Sequence, residues 1–274
     1  MKISFLGGGN MAAALVGGML ERGFDRAGLQ IVEIGAEARE RLVDRFGVRV
    51  AAEPDDEALD CEVLVLAVKP QQMKAALAPI SGRLRGQLVV SIAAGLRIAD
   101  LGRWLGAPGA PCARIVRCMP NTPALIGAGV TGLYADPSVD AAGREAAETI
   151  LGAVGSTLWV DSEARIDAVT AISGSGPAYV FHFIEALEAA GRALGFDEVA
   201  ARRLAIDTTL GAARLAAGSE EAPAVLRERV TSKGGTTAAA LASLASSGWH
   251  DALVAAVKAA ETRGRELGDE LGKD

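Results

Sequence analysis

Apolar residues fall into short unbroken runs through the first part of the chain and into helical spacing through the second. Ile3–Leu6 and residues 29–34, 62–68, 88–92 and 114–118 are runs of strand length. Such runs suit strands of a parallel sheet covered on both faces. Between them the spacing predicts helices over 11–20, Ala36–Phe46, 71–77 and Ile98–Leu105, with a short strand near 48–51. Strands at 129–134 and 156–160, separated by a helix over 141–151, extend the sheet at one side. From Glu163 onward strand patterns stop. Helices are expected over 177–194, from an Asp197 cap to Ala217, over 223–230, up to Ser246, and over Trp249–Leu271. The fold class is α/β: a Rossmann-type, doubly wound, mainly parallel sheet in residues 1–162, followed by an all-helical domain in 163–274.

The first strand ends in Gly7-Gly8-Gly9 and a helix follows at once. Gly7-x-Gly9-x-x-Ala12 is the dinucleotide-binding spacing. The first glycine allows the tight turn, the second lets backbone approach a pyrophosphate, and the alanine lets the helix pack near the sheet. Glu33 lies about 20 residues further on, where an acid is expected to meet the adenosine ribose hydroxyls. Arg39 and Arg41 follow and offer an alternative, contact with a 2′-phosphate. Three more strands end in Gly- or Pro-punctuated segments at Lys69-Pro70, Ala94-Gly95 and 119–123. In open α/β sheets the crevice outside the strand carboxyl ends holds the ligand, and these four segments line it.

Half of the residues are hydrophobic and only 4% aromatic, so the core must be built from Ala, Val, Leu and Ile. The net charge of −6 and the lack of a basic run exclude a nucleic-acid-binding surface. Cys61, Cys112 and Cys118 form no C-x-x-C pair and are expected as reduced thiols. No run approaches the ~18–20 apolar residues that span a bilayer. The expectation is a cytoplasmic protein with no membrane and no metal site. Exposed apolar surface on the long helix (Tyr179, Phe181, Phe183, Ile184, Leu187, Leu194) and on the tail helix (Leu253, Val254, Val257) points to a homodimer.

Two Gly-Ser-Thr segments interrupt the helical half, Ser173-Gly174-Ser175-Gly176-Pro177 and residues 231–237. Each is expected to be a loop leading into a helix N-terminus, with hydroxyls and backbone amides suited to a small anion such as a carboxylate. His182 and His250 lie on or at the start of helices, away from any catalytic pattern. A hydroxy-acid dehydrogenase would want a base for the hydroxyl proton. An imine reductase needs less, because a protonated C=N already attracts hydride.

Six segments in this order resemble the pyrroline-5-carboxylate reductase family: 5–11, 67–70, 91–95, 119–123, 173–179 and 230–237. The resemblance implies reduction of 1-pyrroline-5-carboxylate to L-proline with NADP(H) or NAD(H), in a homodimer that is often assembled into a larger homo-oligomer. It implies that Ser232, Gly234, Gly235 and Thr236, with Ser175, hold the substrate carboxylate, and that the Thr237 hydroxyl meets the ring nitrogen as the catalytic residue. The cofactor would lie along Leu6, Gly7, Gly8, Gly9, Asn10, Met11 and Glu33, then Ala67, Val68, Lys69 and Pro70, then Ala93, Ala94 and Gly95, and finally Met119, Pro120 and Asn121. Two departures from the family stand out. Lys233 replaces a common proline. Glu33-Ile34 stands where NADPH-preferring members carry a polar residue and arginine, so NADH is expected to serve at least as well as NADPH. A 3-hydroxyacid dehydrogenase-like protein, for which Lys233 is the only catalytic candidate in a loop of interest, and a non-catalytic dinucleotide-binding regulator stay open as alternatives.

Overall fold

The computed structural model describes residues 1–273 and divides into two compact units, residues 1–175 with 260–274, and residues 176–259. In the first, β1 (Ile3–Leu6), α1 (Asn10–Glu21), β2 (Leu29–Val32), α2 (Ala36–Phe46) and β3 (Arg49–Ala51) form one wing. A short α3 (Asp56–Leu59), β4 (Val63–Leu66), α4 (Pro70–Leu77), β5 (Leu88–Ser91), α5 (Ile98–Leu105) and β6 (Ile115–Met119) form the other. Then come β7 (Gly129–Ala135), α6 (Ala141–Gly152), β8 (Gly155–Trp159) and α7 (Ala164–Val169). The strand order is β3-β2-β1-β4-β5-β6-β7-β8. Every neighbouring pair is parallel except β6–β7, which is antiparallel.

The alternation of side chains along each strand explains the two-faced core. Ile3 and Phe5 of β1 and Val63 and Val65 of β4 pack with Leu15, Met19 and Ile150 on one face. Leu6, Leu64 and Leu66 pack with Met73, Leu77 and Leu101 on the other. Both faces of the central strands are therefore covered, which is why their sequences are unbroken apolar runs. β2, β4 and β5 end one or two residues short of their runs, whereas β1 ends with its run and β6 continues one residue past its own.

The second unit consists of α8 (Gly176–Ala193), α9 (Glu198–Ala217), α10 (Pro223–Arg229), α11 (Thr236–Ser246) and the start of α12 (Trp249–Leu271). Asp197 caps α9 by accepting from the Ala200 amide at 2.8 Å. None of the α8 residues is buried; Phe181 is 65% exposed, and Leu194, just past the helix end, is 80% exposed.

The compact units part after Ser175, so residues 163–175 pack with the sheet although they follow its last strand. The reason is that α7 is tied to the sheet: buried Arg117 of β6 pairs with Asp167 at 2.7 Å and with Glu163 at 3.3 Å. The segment 173–177 is also not an open loop. Residues Thr170–Gly174 form a π-helical turn running from α7 almost directly into α8. The Ser175 amide donates to Thr170 O at 2.8 Å, and the Ser173 hydroxyl to Val169 O at 2.9 Å.

Candidate active site

The carboxyl ends of β1, β4, β5 and β6 are adjacent, so the four loops foreseen at one edge do lie side by side. Gly7 has φ +101° and its amide donates to Val32 O at 2.8 Å. A Cβ on Gly7 would stand 2.7 Å from Ala67 O, so the β1 and β4 exits can approach this closely only with glycine there. Gly9 is the N-cap residue of α1. No side chain caps this helix and no acidic residue lies in its first turn. Open space surrounds the position a Gly9 Cβ would take. The first amides of a 12-residue helix therefore point free at an open cradle, which fits a pyrophosphate. Ala12 is fully buried behind it, as the spacing requires.

Glu33 sits at the end of β2 with its carboxylate turned back onto this loop. Oε2 accepts from the Gly8 amide at 3.0 Å, and Oε1 from the Gly35 amide at 2.8 Å. Arg39 Nη1 donates to Glu33 O and Ile34 O at 3.0 and 2.8 Å, which holds the guanidinium at the same end of β2. Ile34 is 84% exposed, and Arg41 pairs with Glu37 on its own helix.

The Ala67 amide continues the β1–β4 ladder to Leu6 O, and Lys69 is the exposed N-cap of α4 with Pro70 at the first helical position. Gly95 has φ +75° and lies against Leu271, so the last turn of α12 backs the Ala93-Ala94-Gly95 loop. On the β6 exit, Asn121 is 8% exposed and its side chain is committed inward. Nδ2 donates to Ser173 O at 3.1 Å and Oδ1 accepts from the Val130 amide at 2.9 Å. Any contact of this residue with a cofactor is left to its backbone. A Cβ on Gly174 would stand 2.8 Å from Met119 Cε, and Ser175, whose hydroxyl has no partner among the described residues, belongs to the unit that carries the crevice.

In the helical unit, Gly234 has φ +73° and turns the chain into Gly235, the N-cap residue of α11. The Gly235 amide closes onto Ser232 O at 3.0 Å, and a Cβ there would collide with Ser232 Oγ. No side chain caps α11. Thr231 donates its hydroxyl to Arg227 O at 2.6 Å and is thereby spent. The hydroxyls of Ser232, Thr236 and half-buried Thr237 have no partner among the described residues, and Lys233 is exposed. This is an anion cradle of free amides and hydroxyls on the first turn of an 11-residue helix.

Other chemistry finds little support. Burial pushes the Cys61 thiol up to about 11 and raises those of Cys112 and Cys118, so none is poised as a thiolate nucleophile. His182 and His250 are exposed, beside Glu185 at 3.3 Å and Asp251 at 3.2 Å. Among the described residues no cluster of three potential metal ligands occurs, and no helix is long and apolar enough to cross a membrane. The buried Arg117–Glu163–Asp167 cluster was missed by the sequence reading. Its one sequence signal is an arginine inside a central apolar run.

Comparison with known proteins agrees with this geometry. Residues 163–267 match a family model described as pyrroline-5-carboxylate reductase dimerisation, and residues 2–95 match one described as NADP oxidoreductase coenzyme F420-dependent. The chain is 46% identical to the pyrroline-5-carboxylate reductase of Pseudomonas aeruginosa, over 99% of this chain and 98% of that one. It is 39% identical to that of Haemophilus influenzae, over 97% of both. Among solved structures, a Coxiella burnetii pyrroline-5-carboxylate reductase superposes with a TM-score of 0.91 at 39% identity, over 97% of this chain and 98% of that one. The Plasmodium falciparum enzyme, solved with NADP bound, superposes with a TM-score of 0.84 at 29% identity, over 98% of both chains.

Proposed function

The chain belongs to the pyrroline-5-carboxylate reductase family and reduces 1-pyrroline-5-carboxylate to L-proline with NAD(P)H, and we propose how its residues divide that work. The observation that carries the assignment is the uncapped first turn of α11, with Thr237 unengaged behind the Gly234 turn. Ser232, Gly234, Gly235 and Thr236 bind the substrate carboxylate through amides and hydroxyls. This fixes the ring, so that the Thr237 hydroxyl lies at its nitrogen and orients the C=N bond. The free amides of Asn10 and Met11, behind Gly9, take the pyrophosphate. Backbone at Ala67, Ala93 and Met119 walls the rest of the crevice. When bound, the nicotinamide supplies the hydride that reaches the imine carbon. Ser175, on the crevice unit beside Met119, serves this end of the site. The exposed apolar residues Phe181, Phe183, Leu253 and Val254 are covered by a second copy in a homodimer.

For the cofactor, Glu33 is the discriminating residue. Its carboxylate is already fixed at the loop by two amides, where it accepts from ribose hydroxyls and repels a 2′-phosphate. Purified protein is therefore expected to give initial rates with NADH at least equal to those with NADPH. Glu33→Ser should shift the NADPH-to-NADH ratio of kcat/KM toward NADPH by about tenfold, ~1.4 kcal/mol. Arg39, kept at this end of β2 by two backbone carbonyls that the substitution leaves in place, would then meet the phosphate. A ratio that does not move would remove Glu33 from this role.

A further inference from the structure

Arg117 is 2% exposed and lies in the middle of the sheet, opposite Ser91 in the β5–β6 register. Asp167 and Glu163 hold its Nη2 and Nη1, while its buried Nε has no partner among the described residues. A buried ion cluster of this kind is a poor source of stability, because desolvation offsets most of the attraction and an apolar side chain fills the same space at less cost. Its presence calls for a geometric reason.

The reason lies with Glu163 Oε1. The same oxygen that meets Arg117 also accepts, at 2.8 Å, from the amide of Ile98. Ile98 is the first residue of α5, whose own N-cap residue, Arg97, makes no side-chain cap. One carboxylate oxygen thus holds the helix that follows the Ala93–Gly95 loop and also the strand that leads to the Met119–Asn121 loop. Both loops line the cofactor crevice. A second tie, Asn121 to Ser173, binds the β6 exit to the turn just beyond α7.

We propose that Glu163 is a positioning residue for the dinucleotide, setting the spacing of the β5 and β6 exit loops. The proposal rests on the cofactor crevice assigned above. It touches neither cofactor nor substrate and acts through the Ile98 amide and Arg117.

The test is direct titration of NADH and NADPH fluorescence, with thermal unfolding and the KM for 1-pyrroline-5-carboxylate measured on the same proteins. Glu163→Ala should raise the cofactor Kd roughly tenfold, since loop misplacement well under 1 Å suffices for that. The substrate KM should stay near wild type. Glu163→Gln keeps an acceptor for the Ile98 amide but loses the charge. It should restore the cofactor Kd even though its Tm falls along with that of the alanine variant. Should Glu163→Ala fail to fold, Ile98→Pro removes the same donor at a helix position that tolerates proline, after an extended Arg97 at φ −88° and ψ 154°. It should reproduce the rise in Kd. A wild-type Kd in whichever of Glu163→Ala and Ile98→Pro folds, with only Tm reduced, would overturn the proposal and leave the crevice standing. A wild-type protein that binds neither nucleotide would overturn the crevice assignment and this inference with it.

Discussion

Replacing Thr237 by Ala is expected to lower kcat by about 100-fold, ~2.7 kcal/mol, with the cofactor KM and the Tm close to wild type. The hydroxyl stands on the first turn of α11, half-buried and with no partner among the described residues, so its loss costs them no hydrogen bond. In the role proposed for it, the hydroxyl orients the imine nitrogen as that atom passes from a charged, planar iminium to an amine. Its effect belongs to the transition state rather than to binding, so kcat should fall and KM for the substrate should change little. Thr237→Ser keeps the hydroxyl and should retain most of the activity. Thr237→Val keeps the shape and should behave like the alanine variant. Unchanged turnover in the alanine and valine variants would refute the role.

The second large effect is expected at Gly7. With φ at +101° and Ala67 O only 2.7 Å from where a Cβ would stand, Gly7→Ala forces the β1 and β4 exits apart. Backbone strain alone costs about 1–3 kcal/mol, and the contact is with backbone that has no rotamer to yield. A total near 4 kcal/mol, or a fall in Tm of about 10 °C, is expected for a domain of this size, with cofactor binding lost. Gly9→Ala is the control. Gly9 has φ −69° and nothing lies within 4 Å of its Cβ position. Its Tm should hold, while cofactor affinity falls because the methyl group enters the cradle. Equal Tm values for the two variants would contradict the account of the turn.

Both residues were legible in the sequence, for different reasons. The Gly7-x-Gly9-x-x-Ala12 spacing carries its own geometry, and each position behaves in the structure as that geometry requires. Thr237 could be placed by its loop, but its part in the reaction rests on family resemblance. Helices with local start and stop signals, such as Ala36–Phe46 and the Asp197-capped α9, stand where those signals put them. The segment around 173–177 does not, because Ser and Gly favour turns locally while Asn121 and Met119, about 50 residues earlier, hold it as a π-helical turn. The same distance hid Glu163. Its partners Arg117 and Ile98 lie 46 and 65 residues away in sequence, and no periodicity links them. Asn121 shows the converse: a residue in a motif segment whose side chain turns inward to brace that segment.

As a member of its family, the chain reduces 1-pyrroline-5-carboxylate, a cyclic imine carrying a carboxylate. The most direct measurement mixes purified protein with 1-pyrroline-5-carboxylate and NADH or NADPH, and follows nucleotide oxidation and L-proline together. Oxidation is expected to depend on the imine and to match L-proline mole for mole, with Thr237→Ala slow in both. Nucleotide binding without imine-dependent oxidation by the wild-type protein would contradict this expectation.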